Sequence, residues 1–497
     1  MKTSTKLNIA RVIMITSILC SIILSIIAID ASTDVFKQQI TIEHHTKEEI
    51  IAKAKELNID FSFPDKLDED YSLDKDNYKI GKLSNETQQA ACDTLNFYRY
   101  VAGLPYDVEL DEEYIEAAQT GALVNAAIDE MTHFPDKPEN MDNEMYNLGY
   151  DACSHSNLAW NHGSLQKSMV NGWMDDSNKR NIALVGHRRW VLNPKMQYTG
   201  FGSVGAYTTM YAFDSSKNVK FTGDYVAWPA ENTPIEMFKG SVFSVTLGTK
   251  YDMPDVEKVE VTMTSSTLNK TWTINNKNED VSFYVNNDCY CMPKCIIFKT
   301  DDFNKEDNIH IRIDGITIKG VNAPIEYDIN LFSMSTLTTP NNTIMIRPYY
   351  AADLDITSNS LLSKENPRIK YDVLDTSITN IYYFPHSEKI GFYGEQEGRT
   401  VVTASIPGQQ IDFDIIVKDC LFYSGDADGD DTVDITDATV IQRVAADIPV
   451  AVYADYLADV NKDNSVTILD ATIIQRHLAG IPTDTDVEQS RESFFTR

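Results

Sequence analysis

Two stretches of the chain hold side chains whose type and spacing suit a hard cation. The first, "DADGDDTVDITD", supplies Asp426, Asp428, Asp430, the carbonyl of Thr432, Asp434 and Asp437. The second, "DVNKDNSVTILD", begins 33 residues later and supplies Asp459, Asn461, Asp463, the carbonyl of Ser465, Thr467 and Asp470. Oxygens at the first, third, fifth, seventh, ninth and twelfth places of a loop are what calcium collects. Softer metals would ask for thiolate or imidazole. A merely solvated acidic surface does not explain the same register twice, so the spacing predicts two Ca2+ sites.

Such loops need helices to hold them. Each runs straight into a segment with an apolar face, "ATVIQRVAAD" and "ATIIQRHLAG", so two loop-helix units are expected. The sixth place of each loop, where the chain turns sharply and glycine is usual, holds Asp431 and Asn464. Both types tolerate a left-handed backbone. Residues 419–497 carry 16 acidic against 5 basic side chains. Without a cation these carboxylates repel, and the segment is expected to fold only with calcium.

The tandem at 424–482 resembles the type I dockerin module, with two EF-hand-like loops, Asp at the twelfth place and one helix after each loop. The resemblance implies an all-helical module that plugs into a cohesin module of a scaffolding protein, in an extracellular, cellulosome-like assembly. In that family the tenth and eleventh places often carry a Ser-Thr pair that meets cohesin; here they are Ile435-Thr436 and Ile468-Leu469. With Gln442, Arg443, Gln475 and Arg476 on the following helices, they are the candidate cohesin contacts.

A second stretch, "VGHRRWVLNPKMQYTGFG" at 185–202, resembles the pattern "GHRxNILNPxxxxIGVG" of bacterial CAP (SCP-like) domains. The match runs through Gly186, His187, Arg188, Leu192, Asn193, Pro194, Gly200 and Gly202. Upstream, Asn96, Arg99, Gly103 and Leu104 fall where that family has "NxxRxxxGL". His133 in "MTHFPDKP" stands at its first cavity histidine, and "SNLAW" stands at its "ENIA" segment. The resemblance covers 85–214 and implies an α-β-α sandwich with a cleft lined by two histidines, which in some members binds a divalent metal. Two imidazoles on a cleft can hold a cation such as Zn2+. This chain departs from the family where its glutamate would stand, since Ser156 follows His155 there. The cleft candidates are therefore His133, His155, Ser156 and His187, with Asp175, Asp176 or Glu144 as replacements for the missing carboxylate. The plainer alternative has His133 capping a helix C-terminus and His187 bracing the turn at Arg188, Arg189 and Trp190.

Elements to position these groups can be read from periodicity. "HTKEEIIAKAKELNI" predicts a helix with Thr46 as cap. "NETQQAACDTLNFYRYVAGL" predicts one capped by Asn85 with Gln88 and ending at Gly103. In "DEEYIEAAQTGALVNAAIDEM" the small central residues would let a neighbouring helix approach closely. "SLQKSMVNGWMDDSNKRNIALV" predicts a third long helix of this unit, and a strand is expected after Gly205. "GFGSVG" satisfies G-x-G-x-x-G but leads into a strand, which excludes a phosphate cradle. Short alternating runs over 217–338 predict a β-sandwich, and those over 340–418 a second, smaller one. The expected whole is a multidomain α+β chain. Its expected divisions are 1–31 (signal peptide), 32–84 (leader region), 85–214 (CAP-like), 215–338 and 339–418 (β) and 419–497 (dockerin-like).

A formal charge of -31 would repel nucleic acid and anionic membranes. "MKTSTKLNIARVIMITSILCSIILSIIAIDAS" places Lys2, Lys6 and Arg11 before an apolar run, which reads as an export signal cut near Ala28 or Ala31, with an uncleaved anchor as the alternative. Either way the body is expected outside the membrane, secreted or held at the cell surface. Of seven cysteines, Cys20 would leave with the signal. "CYCMPKC" reads as a local disulfide or reducible thiols, without the fourth ligand that zinc would want. Three functions remain: a tethered binding module, a metal-assisted hydrolase of peptide or cell-wall substrates, or an accessory in polysaccharide catabolism.

Overall fold

Helix α1 (Lys47–Glu56) begins where Thr46 closes a capping box with Glu49. The helix turns Ile50 and Ala54 inward, against α2 (Asn85–Val101). His45 stacks on Tyr100 with ring centres 3.8 Å apart, and Gln38–Ile40 pairs in parallel with Val219–Phe221. The computed structural model describes residues 38–418 and 423–487, except 279, 280, 301, 302, 304, 340–342, 347, 350, 354, 355, 385–388, 451–454, 464 and 486. The export signal with Cys20, Cys420 and Asn464 lie outside the described residues.

Ser84, not Asn85, caps α2. It has the extended backbone a cap requires, and its Oγ accepts the Thr87 N–H at 3.2 Å. Asn85 is already helical, and Gln88 reaches away to donate to the Phe201 carbonyl at 2.7 Å. Helix α3 (Glu112–Ile128) and α4 (Asn143–Ser154) lie close because both are bare at their crossing. A Cβ on Gly149 would stand 2.4 Å from a Val124 methyl, and one on Gly121 3.3 Å from Ala152.

The strands of this unit are β1 (Ser156–Trp160), β2 (Phe201–Val204) and β3 (Tyr207–Tyr211), with β3 central and both pairings antiparallel. Strand character begins before Gly205, which makes the β2-β3 turn at φ +59°. Gly200 and Gly202 let the sheet touch α3: a Cβ on either would lie 2.2 Å from α3 backbone. The opposite face meets α2 and α5 (Leu165–Ser168), where Ser168 and Thr208 share a 2.8 Å hydrogen bond.

The third long helix does not form. Its stretch divides into α5, a π-helical turn at Met169–Trp173 and a run of turns, and α6 (Gly186–Val191) begins just after it. Asp176 and Val185 take left-handed backbones at φ +50° and +42°, which no continuous helix can include.

Two sheets follow. One orders Tyr225–Trp228, Phe243–Leu247, Cys295–Lys299 and Ser282–Asn286; the other orders Asn232–Pro234, Ile325–Phe332, Asp307–Asp314, Glu260–Ser265 and Lys270–Ile274. Along Asp307–Asp314, Ile309, Ile311 and Ile313 turn inward, while His310, Arg312 and Asp314 turn outward. One apolar core gathers residues from Ile40 to Leu362, so leader, helical unit and these sheets are packed on shared side chains such as Tyr98 and Trp228, 5.4 Å apart. Residues 343–417 build smaller sheets with a core of their own around Ile346, Phe392 and Phe413. Beyond them, α7 (Ile435–Ala445) packs on α8 (Ile468–Leu478) over Ala438, Ile441, Ala471 and Ile474.

The whole is a mixed α/β chain, and no described helix is long and apolar enough to cross a membrane. Cys92, Cys153, Cys289, Cys291 and Cys295 are free thiols. The local disulfide among the last three does not form: Cys295 is buried in a strand, and the Cys291 thiol donates to the Arg189 carbonyl at 2.9 Å.

Candidate functional site

The two acidic loops are built alike to the level of single hydrogen bonds. In the first, Asp437 Oδ1 accepts the N–H groups of Ala427 at 2.7 Å and Asp428 at 3.1 Å, and its Oδ2 accepts that of Asp434 at 2.8 Å. In the second, Asp470 Oδ1 accepts Val460 at 3.1 Å and Asn461 at 3.4 Å, and its Oδ2 accepts Thr467 at 2.9 Å. Asp434 and Thr467 then cap α7 and α8, each in a capping box with the aspartate three residues on. Asp431 takes the left-handed turn at φ +75°. Asp426 Oδ1 and Asp459 Oδ1 accept the Asp430 and Asp463 N–H groups, and Asp430 and Asp463 accept those of Thr432 and Ser465.

Carboxylate oxygens of Asp426, Asp428 and Asp430 come within 4.8 Å of one another. One buried oxygen of Asp428 has no hydrogen-bond donor. Burial, and then the Asp437 charge, push Asp426 up to about 6; burial pushes Asp437 up to about 6 as well. Oxygen donors crowded at this cost are a set that fits a divalent cation such as calcium. Loop one offers five carboxylates where loop two offers three, because Asn461 and Thr467 replace two.

Ile435 and Ile468 are each 58% exposed and Leu469 is 51% exposed, with Thr436 beside them. Gln442 and Gln475 are half-buried. Arg443 and Arg476 each spend a guanidinium N–H on a proline carbonyl beyond the helix, Pro449 at 2.9 Å and Pro482 at 3.2 Å.

In the helical unit, His133 and His187 come together with ring centres 6.4 Å apart. His133 Nδ1 meets the Cys153 carbonyl in the last turn of α4 at 2.8 Å, so it carries the proton and Nε2 holds the lone pair. Burial lowers its pKa, and His187 adds to the effect, against the raising contact with Cys153. His187 Nδ1 lies 3.0 Å from Asp176 Oδ1, which likewise directs its proton away from Nε2. Asp176 Oδ2 accepts the His187 backbone N–H at 3.0 Å, and Asn157 of β1 donates to the His187 carbonyl at 2.9 Å. Each ring thus has one nitrogen tied by an acceptor and the other left to bind, the arrangement that orients metal-ligating histidines. Two imidazole nitrogens are ligand types that a divalent cation such as zinc takes, with further positions left for other donors.

His155 takes a different environment. Its Nδ1 lies 2.8 Å from the Asp151 carbonyl, and its ring packs edge-on against Phe213 at 5.4 Å. Ser156 is buried at the start of β1, and its hydroxyl has no partner. Of the three carboxylates expected as replacements, Asp176 reaches a histidine. Asn96, Arg99 and Asn193 of the shared motifs brace the backbone: Asn96 pairs with Val108, Arg99 donates to the Pro105, Val191 and Asn193 carbonyls, and Asn193 donates to that of Asp214.

Sequence reasoning missed the π-helical turn, which brings the chain round so that the Asp176 N–H meets the Gly172 carbonyl at 3.1 Å. A π-helical turn needs one extra residue in a turn and leaves no compositional mark.

Residues 424–479 match the family model described as the Dockerin type I domain, and residues 92–225 match that of the Cysteine-rich secretory protein family, CAP. No curated protein matches the chain. Among solved structures, domains 4 and 5 of the S-layer protein SbsC are similar at 10% identity, over 32% of this chain and 75% of that one, with a TM-score of 0.15. The N-terminal Ig1-2 module of the Drosophila Receptor Protein Tyrosine Phosphatase DLAR is similar at 10% identity, over 38% and 94%, with a TM-score of 0.16. At such scores neither likeness bears on this protein's function.

Proposed function

We propose, from the premise of a type I dockerin domain at 424–479 and a CAP domain at 92–225, that this is an exported protein held in a cellulosome-like extracellular complex. The dockerin binds two calcium ions and docks on a cohesin of a scaffolding protein, and the CAP domain is a ligand- or partner-binding module. The observation that carries the reading is the duplicate hydrogen bonding of the two loops, ending in exposed Ile435 and Ile468. In this division the cargo comprises the layered helical unit at 85–214 and the β unit at 215–338, with 339–418 as a spacer and 419–497 as the plug.

The test is binding of the full chain to a panel of immobilised type I cohesins, with calcium and with chelator. Calcium-dependent capture by at least one cohesin is expected. Retention that chelator leaves unchanged would overturn the reading.

At the CAP cleft, His133 and His187 would hold a divalent cation through Nε2, with Asp176 and the Cys153 carbonyl fixing the rings. Such a cation supplies Lewis acidity when bound. The free Nε2 pair favours a second reading, metal-assisted hydrolysis of peptide or cell-wall substrates. Binding is preferred because Ser156 leaves a buried hydroxyl where the related pattern has a carboxylate, and Asp176 is already engaged by His187. Casein or peptidoglycan turnover by the zinc-loaded full chain, lost in His187→Ala, would replace the binding reading with the hydrolytic one.

A further inference from the structure

The side chains of the residue pair after His187 reach beyond the helical unit into the β unit. Arg188, 1% exposed, donates from Nη1 to the Val242 carbonyl at 2.7 Å and to Ser244 Oγ at 3.0 Å, and from Nη2 to Ser241 Oγ at 2.9 Å. The same guanidinium donates to the Met174 and Asp175 carbonyls at 2.8 and 2.6 Å, the two residues before Asp176. Ser241 Oγ also donates to the Asp175 carbonyl, at 2.5 Å. The strand edge at 241–244 therefore fixes the backbone that carries the His187 partner.

Arg189 points to a second place on the same β unit. It donates to Asn286 Oδ1 at 2.6 Å, to the Asp288 carbonyl at 2.5 Å and to the Met292 carbonyl. The Tyr290 ring stands 5.0 Å from its guanidinium carbon and packs on Gly186, where a Cβ would come within 3.0 Å of the ring. This loop closes against the first turn of α6, next to His187 in the chain.

We propose that Arg188 and Arg189 are positioning residues through which the β unit, at 241–244 and 286–292, sets the orientation of His187 as a cation ligand. The inference rests on the reading that His133 and His187 hold a divalent cation. It adds that the site is incomplete without the β unit, even though both histidines lie in the helical one. Residues that orient a metal-bound histidine from outside are typically worth about 10 to 100-fold in metal affinity, and Asn286, Asp288 and Met292 accept from Arg189 rather than from an imidazole.

The test is a Co2+ titration of the full chain with calcium in excess, so that the acidic loops stay filled. His133→Ala/His187→Ala sets the baseline, and the affinity and visible absorption of bound Co2+ are the readouts. Asn286→Ala removes one hydrogen bond to Arg189, and Tyr290→Ala removes the wall behind Gly186. Together they are expected to weaken Co2+ binding about tenfold and to change its absorption band. Asn286→Asp, which keeps an acceptor for Arg189, is expected to restore the wild-type values.

If the double variant is poorly folded, the single Asn286→Ala decides the matter. Wild-type affinity and spectrum in that variant, with an unchanged unfolding midpoint, would overturn the proposal. Absence of Co2+ binding by the wild-type chain above baseline would instead overturn the cation reading, and this inference with it.

Discussion

Asp176 holds His187 twice, by the imidazole at Nδ1 and by the backbone N–H, each at 3.0 Å, from a position where Asp176 is 1% exposed. The carboxylate sets both the tautomer and the start of α6. In Asp176→Asn the side chain keeps its size but loses its charge. Divalent-metal affinity at the cleft should fall about 10 to 100-fold, read by Co2+ titration with calcium in excess. An unchanged affinity would mean that Asp176 serves folding alone.

Chelator should weaken the C-terminal helices, and more so at pH 7 than at pH 5. Asp426 and Asp437 have folded pKa values raised to about 6 from 3.8. A carboxyl whose pKa rises on folding holds its proton more tightly when folded, so its contribution without calcium is present at low pH and is lost as pH climbs through about 6. Circular dichroism of the chain in chelator at the two pH values measures it, and a helix signal indifferent to chelator at pH 7 would refute the claim.

Ile435→Asp and Ile468→Asp each leave the other exposed patch in place. Each single change should cost cohesin affinity only a few-fold, while the double change should cost on the order of 100-fold or more, as loss of a buried apolar anchor does. Calcium stoichiometry should remain two. Titration calorimetry with a cohesin that binds the wild type distinguishes these outcomes, and full binding by the double variant would remove the pair from the interface.

Gly202→Ala should destabilise the helical unit by about 3 kcal/mol or more, since its Cβ would press within 2.2 Å of the Ala118 carbonyl. Gly205→Ala meets only the Tyr71 hydroxyl at 3.9 Å, and its cost, for the positive φ, should be about 1 kcal/mol. Thermal unfolding of the two variants compares them directly. Equal effects would contradict close packing as the reason for Gly202.

The acidic loops were legible because their ligands fall within twelve consecutive residues, so spacing along the chain is almost spacing in space. The His133–His187 pairing needed a resemblance, since 54 residues separate the two. Asp176 is one of three carboxylates the sequence offers there, and only folding shows which of them turns to the histidine. The reach of Arg188 and Arg189 into 241–292 was not legible at all. Most of their partners are backbone carbonyls and serine hydroxyls, groups that any sequence supplies everywhere. The break in the third helix escaped for a related reason: apolar periodicity continues through Met169, Val170 and Trp173 although the hydrogen-bond pattern changes there.

The apolar core shared between Ile40 and Leu362 also bears on how such a gene can be rearranged. A crossover placed at residue 214 would split side chains that pack on one another, and both products would carry an exposed greasy scar. A crossover after Lys418 cuts where a distinct small core begins. A cut there spares both apolar cores and, among the described residues, parts only polar and edge contacts such as that of Lys418 with the Gly429 carbonyl.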